Sequence, residues 1–361
     1  MATSKSPFTK LLLKWHKSEN TRSMPWKGEK NPYKIWLSEI ILQQTRVEQG
    51  LAYYNRFLEA FPTIQDLARA PEQKVFKLWE GLGYYTRCRN LIATAKTIVS
   101  TYKGQFPASY EQIIQLKGIG PYTAAAISSF AFDLPYAVVD GNVERVLSRY
   151  FGISTPIDTS AGKKLYSELA ATLLPHDKPG LYNQSIMDFG AVICKPRNPL
   201  CLSCWQRHDC QAFQHGWTDT LPTKGKTIAK RLRWLNYFIL ETKDGQVYIR
   251  QRITRDIWEG LYEFVLWETD QPVDAESVMR SDFARKLFGK RSLAIKYISK
   301  IYRQELSHQT VRGRFINILL DKPPAKLKGY LLVSKKQLTT YAFPKFINAW
   351  LLDSSPVQHL F

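Results

Sequence analysis

From the N-terminus to about residue 215 the apolar positions recur three and four apart, the spacing that gathers them on one face of a helix. Pro32–Gln44, Val47–Phe61, Pro71–Leu82 and Lys163–Leu174 carry this pattern, and short Gly and Pro punctuation separates them. Asp140-Gly141-Asn142 leads into another such stretch, Val143–Tyr150. After Cys210 the pattern lapses. Thr218–Lys230, with Pro222, Lys224, Gly225, Lys226 and Lys230, has little periodicity and reads as a basic linker. From Arg233 the period shortens. Leu235–Glu241 and Gln246–Gln251 are β-rich runs around Lys243-Asp244-Gly245, a hairpin signal, and Arg314–Leu320 is a further strand. The expected division is a mostly α domain over residues 1–217, a linker over 218–231 and a smaller α+β domain over 232–361. There is no internal repeat or low-complexity tract.

Composition adds a partner. With 361 residues and 44% apolar content, each domain can bury its own core. The 51 basic against 31 acidic residues give a net charge of +20. A polyanion accounts for that excess, and nucleic acid is the commonest one; a generally basic surface is the plainer alternative. Met1–Ser18 has an apolar run of only Leu11–Leu13 between lysines, an amphipathic helix and not a signal peptide. No stretch of eighteen apolar residues exists, so no membrane span is expected. These features point to a cytoplasmic protein associated with nucleic acid.

Of the five cysteines, Cys88 stands alone, while Cys194, Cys201, Cys204 and Cys210 form C-x6-C-x2-C-x5-C. Four thiols so close together, without export signals, point to a structural metal in a reducing compartment. Zinc and a four-iron cluster both take four thiolates, and spacing does not separate them. Lys195, Arg197 and Arg207 sit among these cysteines, where they can offset cluster charge or face phosphates. All four corners would be filled by protein, so the centre has no open position for substrate.

Two acids stand out. Glu39 lies between Leu37 and Ile40-Ile41-Leu42, where burial would raise its pKa and keep a proton on it. Asp140 begins a helical pattern, where it would remain ionised. The ordinary readings are a solvated helix charge for Glu39 and a cap or turn for Asp140. Gly118 and Gly120 permit a tight turn whose N–H groups can approach a phosphate, or simply a turn.

Leu116-Lys117-Gly118-Ile119-Gly120-Pro121-Tyr122-Thr123-Ala124 resembles the hairpin of the helix–hairpin–helix glycosylase superfamily. Val139-Asp140-Gly141-Asn142-Val143 is similar to its downstream aspartate segment, and the cysteine spacing matches the iron–sulfur branch. Met24-Pro25-Trp26, Trp36 to Thr45 and Gly81-Leu82-Gly83-Tyr84-Tyr85 resemble the MutY adenine glycosylases within that branch. The match covers nearly all of residues 20–215, with several long motifs in order.

The resemblance implies a helix–hairpin–helix domain with a [4Fe–4S] loop held by the four clustered cysteines. It implies a glycosylase that removes adenine mispaired with 8-oxoguanine or guanine from double-stranded DNA. Glu39 would protonate adenine at N7 and later handle the water, and Asp140 would stabilise the cationic sugar. Where lyase-type relatives carry a Schiff-base lysine this chain has Tyr122, so little or no strand cleavage is expected. Gln44 and Tyr84 resemble the residues that wedge into the duplex, with Thr45, Leu82 and Gly83 beside them. Trp26 and Lys27 would contact pocket or strand, Gly118 and Gly120 the backbone, and Gln184 the adenine edge.

Residues 247–264, including Trp258-Glu259-Gly260-Leu261-Tyr262-Glu263-Phe264, resemble the Nudix-like domain of the same glycosylases. The basic segment Ser281–Lys290 lacks the acidic Arg-Glu-x-x-Glu-Glu helix, which implies lesion recognition without pyrophosphatase chemistry. The family reads 8-oxoguanine with a Phe-Ser-His loop; here Leu306-Ser307-His308 keeps the serine and histidine and loses the aromatic. Other readings are a thymine-specific or lyase-type glycosylase, and a non-catalytic DNA-binding iron–sulfur protein. Tyr122 speaks against the lyase, and the Glu39/Asp140 pair against the scaffold.

Overall fold

The computed structural model describes residues 6–225, 229–289, 294–321 and 327–353. Residues 1–5 of the N-terminal stretch, Lys226 of the linker and Lys290 lie outside them. Contacts gather the chain into two compact units. One takes the segments up to Arg69 and from Asn90 to the linker; the other joins Ala70–Arg89 to the C-terminal part.

The chain up to the linker is helical: α1 (Pro7–Ser18), α2 (Pro32–Leu42), α3 (Val47–Ala60), α4 (Ile64–Arg69), α5 (Glu72–Trp79), α6 (Tyr85–Thr101), α7 (Tyr110–Ile113), α8 (Pro121–Phe132), α9 (Gly141–Phe151), α10 (Ser160–Leu173), α11 (Pro179–Val192) and α12 (Gln211–Gln214). Several start on the signals their sequences carry. Asn31 caps α2 by accepting the Tyr33 N–H at 2.9 Å, and Pro32 occupies the first turn, where its missing N–H costs nothing. Pro121 opens α8 in the same way. Asp140 caps α9, and Gly152 closes it with φ 68°.

In the first unit α2 packs on α3 and α8, and α11 packs on α1, α8 and α9. Its core gathers Phe8, Trp15, Leu147, Tyr166, Tyr182 and Phe189, each buried. Burial of such side chains stabilises the fold by roughly 1.5–3 kcal/mol apiece, before chain entropy is subtracted. Helix α2 is apolar almost all round, which is why Ser38 and Glu39 are enclosed with it. Among the described residues no helix is long and apolar enough to cross a membrane.

The second unit is built on an eight-stranded sheet: β1 (Arg231–Thr242), β2 (Gln246–Gln251), β3 (Tyr262–Glu263), β4 (Val265–Thr269), β5 (Ala294–Ile298), β6 (Tyr302–Glu305), β7 (Gln309–Leu320) and β8 (Leu331–Ser334). The parallel pair β1–β7 runs in unbroken register from Arg231↔Gln309 to Thr242↔Leu320. β1 is buried on both faces from Arg233 to Glu241, whereas β7 alternates buried and half-buried positions; Phe238, Leu240, Ile316 and Ile318 lie in the core. Gly313 of β7 lies against β1 so closely that a Cβ there would collide with the Leu235 carbonyl. The β1–β2 turn has Gly245 at φ 76° with its N–H on Thr242 O. Helices α13 (Ala275–Arg280), α14 (Asp282–Phe288) and α15 (Lys345–Asp353) complete the unit.

Candidate active site

Glu39, Tyr122 and Asp140 come from three elements and line one cleft of about 660 Å³ in the helical unit. Glu39 is on α2 and is only 8% exposed. Burial pushes its pKa up to about 7; the Tyr122 hydroxyl, hydrogen-bonded to it, pulls it down, and the charge of Asp140 pushes it up again. Tyr122 stands in the first turn of α8, and burial beside the two acids lifts its own pKa far above the ordinary phenol value. A carboxyl that holds its proton at neutral pH can donate it, whereas a fully exposed glutamate cannot.

Asp140 is held at the N-terminus of α9. One carboxylate oxygen accepts the backbone N–H groups of Asn142 at 2.9 Å and Val143 at 2.8 Å. The other accepts the Asn142 side-chain amide at 2.8 Å. The cap reading of Asp140 is observed: these hydrogen bonds fix the direction of its carboxylate at the start of α9.

Trp26, Lys27, Thr45 and Gln184 line the same cleft. Trp26 meets Tyr54 edge-on, with ring centroids 5.6 Å apart. Gln44 follows the end of α2 at φ 55°, exposed, and Thr45 Oγ1 donates back to Gln43 O. In the hairpin before α8, Gly118 has φ 79°, and a Cβ there would press the Asn90 side chain at 2.6 Å. Gly120 has no heavy atom within 4 Å of its Cβ position, so the backbone is open to a ligand at that point.

The four cysteines ring a second, largely apolar cavity between α9, α11 and α12. Among the described residues no three His, Cys, Asp or Glu side chains converge tightly enough to hold a single metal ion. Two arginines of α9 grip the loop. Arg149 donates to Leu221 O at 2.9 Å, Lys195 O at 2.7 Å and Pro196 O at 3.3 Å, and lies 3.4 Å from Cys194 Sγ. Arg145 donates to Cys194 O and Gly190 O, each at 2.7 Å, and to Asn142 Oδ1 at 2.8 Å.

With this geometry in hand, residues 37–171 match the family of HhH-GPD superfamily base excision DNA repair proteins, and residues 236–352 match the NUDIX domain. The adenine DNA glycosylase of Buchnera aphidicola subsp. Baizongia pistaciae is 34% identical over 320 residues, 87% of each chain. The chain belongs to the adenine DNA glycosylase family. The adenine DNA glycosylase of Homo sapiens is 39% identical over 224 residues, 59% of this chain and 41% of that one. Among solved structures, a thermostable thymine-DNA glycosylase superposes with a TM-score of 0.54 at 32% identity, covering 59% of this chain and 99% of its own.

In this member of the adenine DNA glycosylase family the remaining expected residues lie in the second unit. Gly83 (φ 78°) and Tyr84 (φ 48°) form a left-handed turn between α5 and α6 that leaves Tyr84 46% exposed, while Leu82 is buried. The Leu306 N–H bonds Gln309 O at 2.8 Å and closes the β6–β7 turn, with Ser307 and His308 exposed at its tip. The Tyr84 hydroxyl and Ser307 Oγ are 2.8 Å apart and hydrogen-bonded. The acidic content of α14 is Asp282 alone.

Sequence reasoning passed over Asn142, Arg145, Arg149 and Asp188. Asn142 had a signal, since an amide two residues past a cap can bond back to it. Asp188 had only Gln184, one helical turn before it; its other partners, Asn20, Arg22 and Lys27, come from the N-terminal segment.

Proposed function

We propose that this protein is a monofunctional DNA glycosylase that removes adenine mispaired with 8-oxoguanine or guanine in duplex DNA. The observation that carries the reading is Glu39, buried, lifted to about 7 and hydrogen-bonded to Tyr122, in one cleft with helix-capped Asp140. An adenine flipped into the cleft leaves as a neutral base once Glu39 protonates it, and the Asp140 carboxylate stabilises the positive charge that develops on the sugar. With tyrosine at 122 no amine is offered for a Schiff base, so water completes the reaction and the strand stays uncut. Gln184 reads the base edge, with Trp26, Lys27 and Thr45 beside it.

Gln44 and Tyr84, both exposed and at positive φ, enter the duplex where the base leaves, with Leu82 and Gly83 shaping that turn. Gly118 and Gly120 receive a backbone phosphate. Ser307 and His308 read 8-oxoguanine from the strand-built domain, which has no hydrolase role. The cysteines Cys194, Cys201, Cys204 and Cys210 hold a [4Fe–4S] cluster. Four thiols lining one cavity match the four-thiolate ligand set that such a cluster takes. Its contribution is structural. The protein acts as a DNA-associated monomer, with residues 1–217 as the catalytic domain, 218–231 as linker and 232–361 as reader.

The test is single-turnover cleavage of duplexes with adenine opposite 8-oxoguanine, beside thymine opposite guanine, for wild type and Glu39→Gln. Wild type releases adenine only and leaves an alkali-labile, uncut strand; the variant is slower by about 100-fold or more. Equal rates for the two proteins, or release of thymine in place of adenine, refute the reading.

A further inference from the structure

Behind the cleft wall, one turn along α11 from Gln184, lies Asp188, whose side chain is fully buried. One of its oxygens accepts Arg22 NH1 at 2.8 Å and Gln184 Nε2 at 3.0 Å. The other accepts Asn20 Nδ2 at 2.8 Å and pairs with Lys27 Nζ at 2.6 Å. All four donors belong to residues within or next to the cleft; Arg22, Lys27 and Gln184 line it directly. The reaction scheme gives Asp188 no task, yet a buried carboxylate with every acceptor site filled is a costly feature to keep.

We infer that Asp188 is a positioning residue that fixes the orientation of the Gln184 amide and thereby makes the pocket selective for a base bearing an exocyclic amino group. An ionised carboxylate can only accept hydrogen bonds. The Gln184 amide must therefore turn its NH2 toward Asp188, and its carbonyl oxygen faces away. The hydrogen bond given for this amide among the described residues is the one its NH2 donates to Asp188. The carbonyl oxygen offers the cleft an acceptor, which attracts the 6-amino group of adenine and repels the 6-oxo group of hypoxanthine or guanine. A free glutamine rotates its amide and serves either base; the carboxylate behind it removes that choice. By holding Arg22 and Lys27 the same group also anchors the loop that carries Trp26.

This inference rests on the glycosylase reading above, and a substrate series separates the two. Single-turnover excision is measured with adenine, purine (no 6-substituent) and hypoxanthine in otherwise identical duplexes. Wild type prefers adenine over hypoxanthine by about 100-fold, the scale on which an unmatched buried polar group is rejected. In Asp188→Asn the new NH2 lets Gln184 flip, so the preference falls by about tenfold or more, with hypoxanthine excision gaining relative to purine. Adding Gln184→Glu to Asp188→Asn restores an acceptor that cannot flip, and the preference for adenine returns. Equal losses on all three bases in Asp188→Asn overturn the inference, because they reduce Asp188 to a structural anchor. Should that variant fail to fold, Gln184→Met decides: adenine and purine must then be excised at similar rates, and retained discrimination overturns it. Failure of wild type to release adenine from any duplex instead sinks the glycosylase reading itself.

Discussion

Glu39→Gln should stabilise the folded protein while it abolishes the chemistry, by an amount that grows with pH. The folded pKa of Glu39, about 7, lies above its ordinary value of 4.5, and burial is the main cause. A group raised in this way favours the folded state fully only below the unfolded pKa. As pH climbs between the two values the unfolded chain gives up its proton first, so stability is lost until the folded group also ionises near 7. At 1.4 kcal/mol per pH unit, wild type loses about 2–3 kcal/mol between pH 5 and 8.5 that a non-titrating glutamine does not lose. Urea unfolding of both proteins at these two pH values, followed by helical circular dichroism, measures the difference. The variant's advantage must be larger at pH 8.5 by roughly that amount, the linkage expected of one buried carboxyl. An advantage that does not change with pH would mean that Glu39 is not held protonated by its surroundings, and the proton-donor argument would go with it.

Tyr122→Phe removes the hydrogen bond that pulls the Glu39 pKa down, so the alkaline fall of the excision rate should move to higher pH than in wild type; a shift to lower pH contradicts the assignment. Arg149→Ala strands two carbonyls of the cysteine loop and that of Leu221 in a largely buried place and should lower stability by about 2–4 kcal/mol, read by denaturant unfolding; if the cysteines hold the cluster proposed above, iron is lost from the purified protein as well. Arg149→Lys should recover only part of this, because one ammonium cannot reproduce a planar fork. Ser307→Ala should reduce the preference for 8-oxoguanine over guanine opposite adenine severalfold while adenine excision continues, as measured by the ratio of single-turnover rates.

Helix positions were readable because amphipathic spacing and caps are local. The pattern from Val47 to Phe61 became α3, ending one residue sooner. Elements ran shorter than their apolar pattern where the backbone changed hand: α2 stops at Leu42 because Gln44 is left-handed, and α5 stops at Trp79 ahead of Gly81 at φ 89°. Elsewhere the pattern was too cautious. β7 begins at Gln309 and not at Arg314, because Arg312 and Gly313 break the apolar run although their backbone pairs with β1 throughout. In the cleft, the apolar neighbours of Glu39 announced its burial, and Asp140 announced a helix start. The grip of Arg145 and Arg149 on the cysteine loop could not be read, since those contacts join segments some fifty residues apart. Nor could three of the four partners of Asp188, namely Asn20, Arg22 and Lys27, which depend on the N-terminal segment folding back onto α11.

Gly313 pairs with Tyr302 of β6 on one side and touches β1 on the other, a few residues from the turn that carries Ser307 and His308. Every single-nucleotide missense change in a glycine codon introduces a side chain with a Cβ. No such change can be accommodated here without prising apart the longest strand pair of the sheet. Genetic variation at this codon would therefore be felt at the turn that carries Ser307 and His308, several residues away, and if that turn reads the lesion as proposed above, an inherited defect in folding would present as a defect in lesion choice.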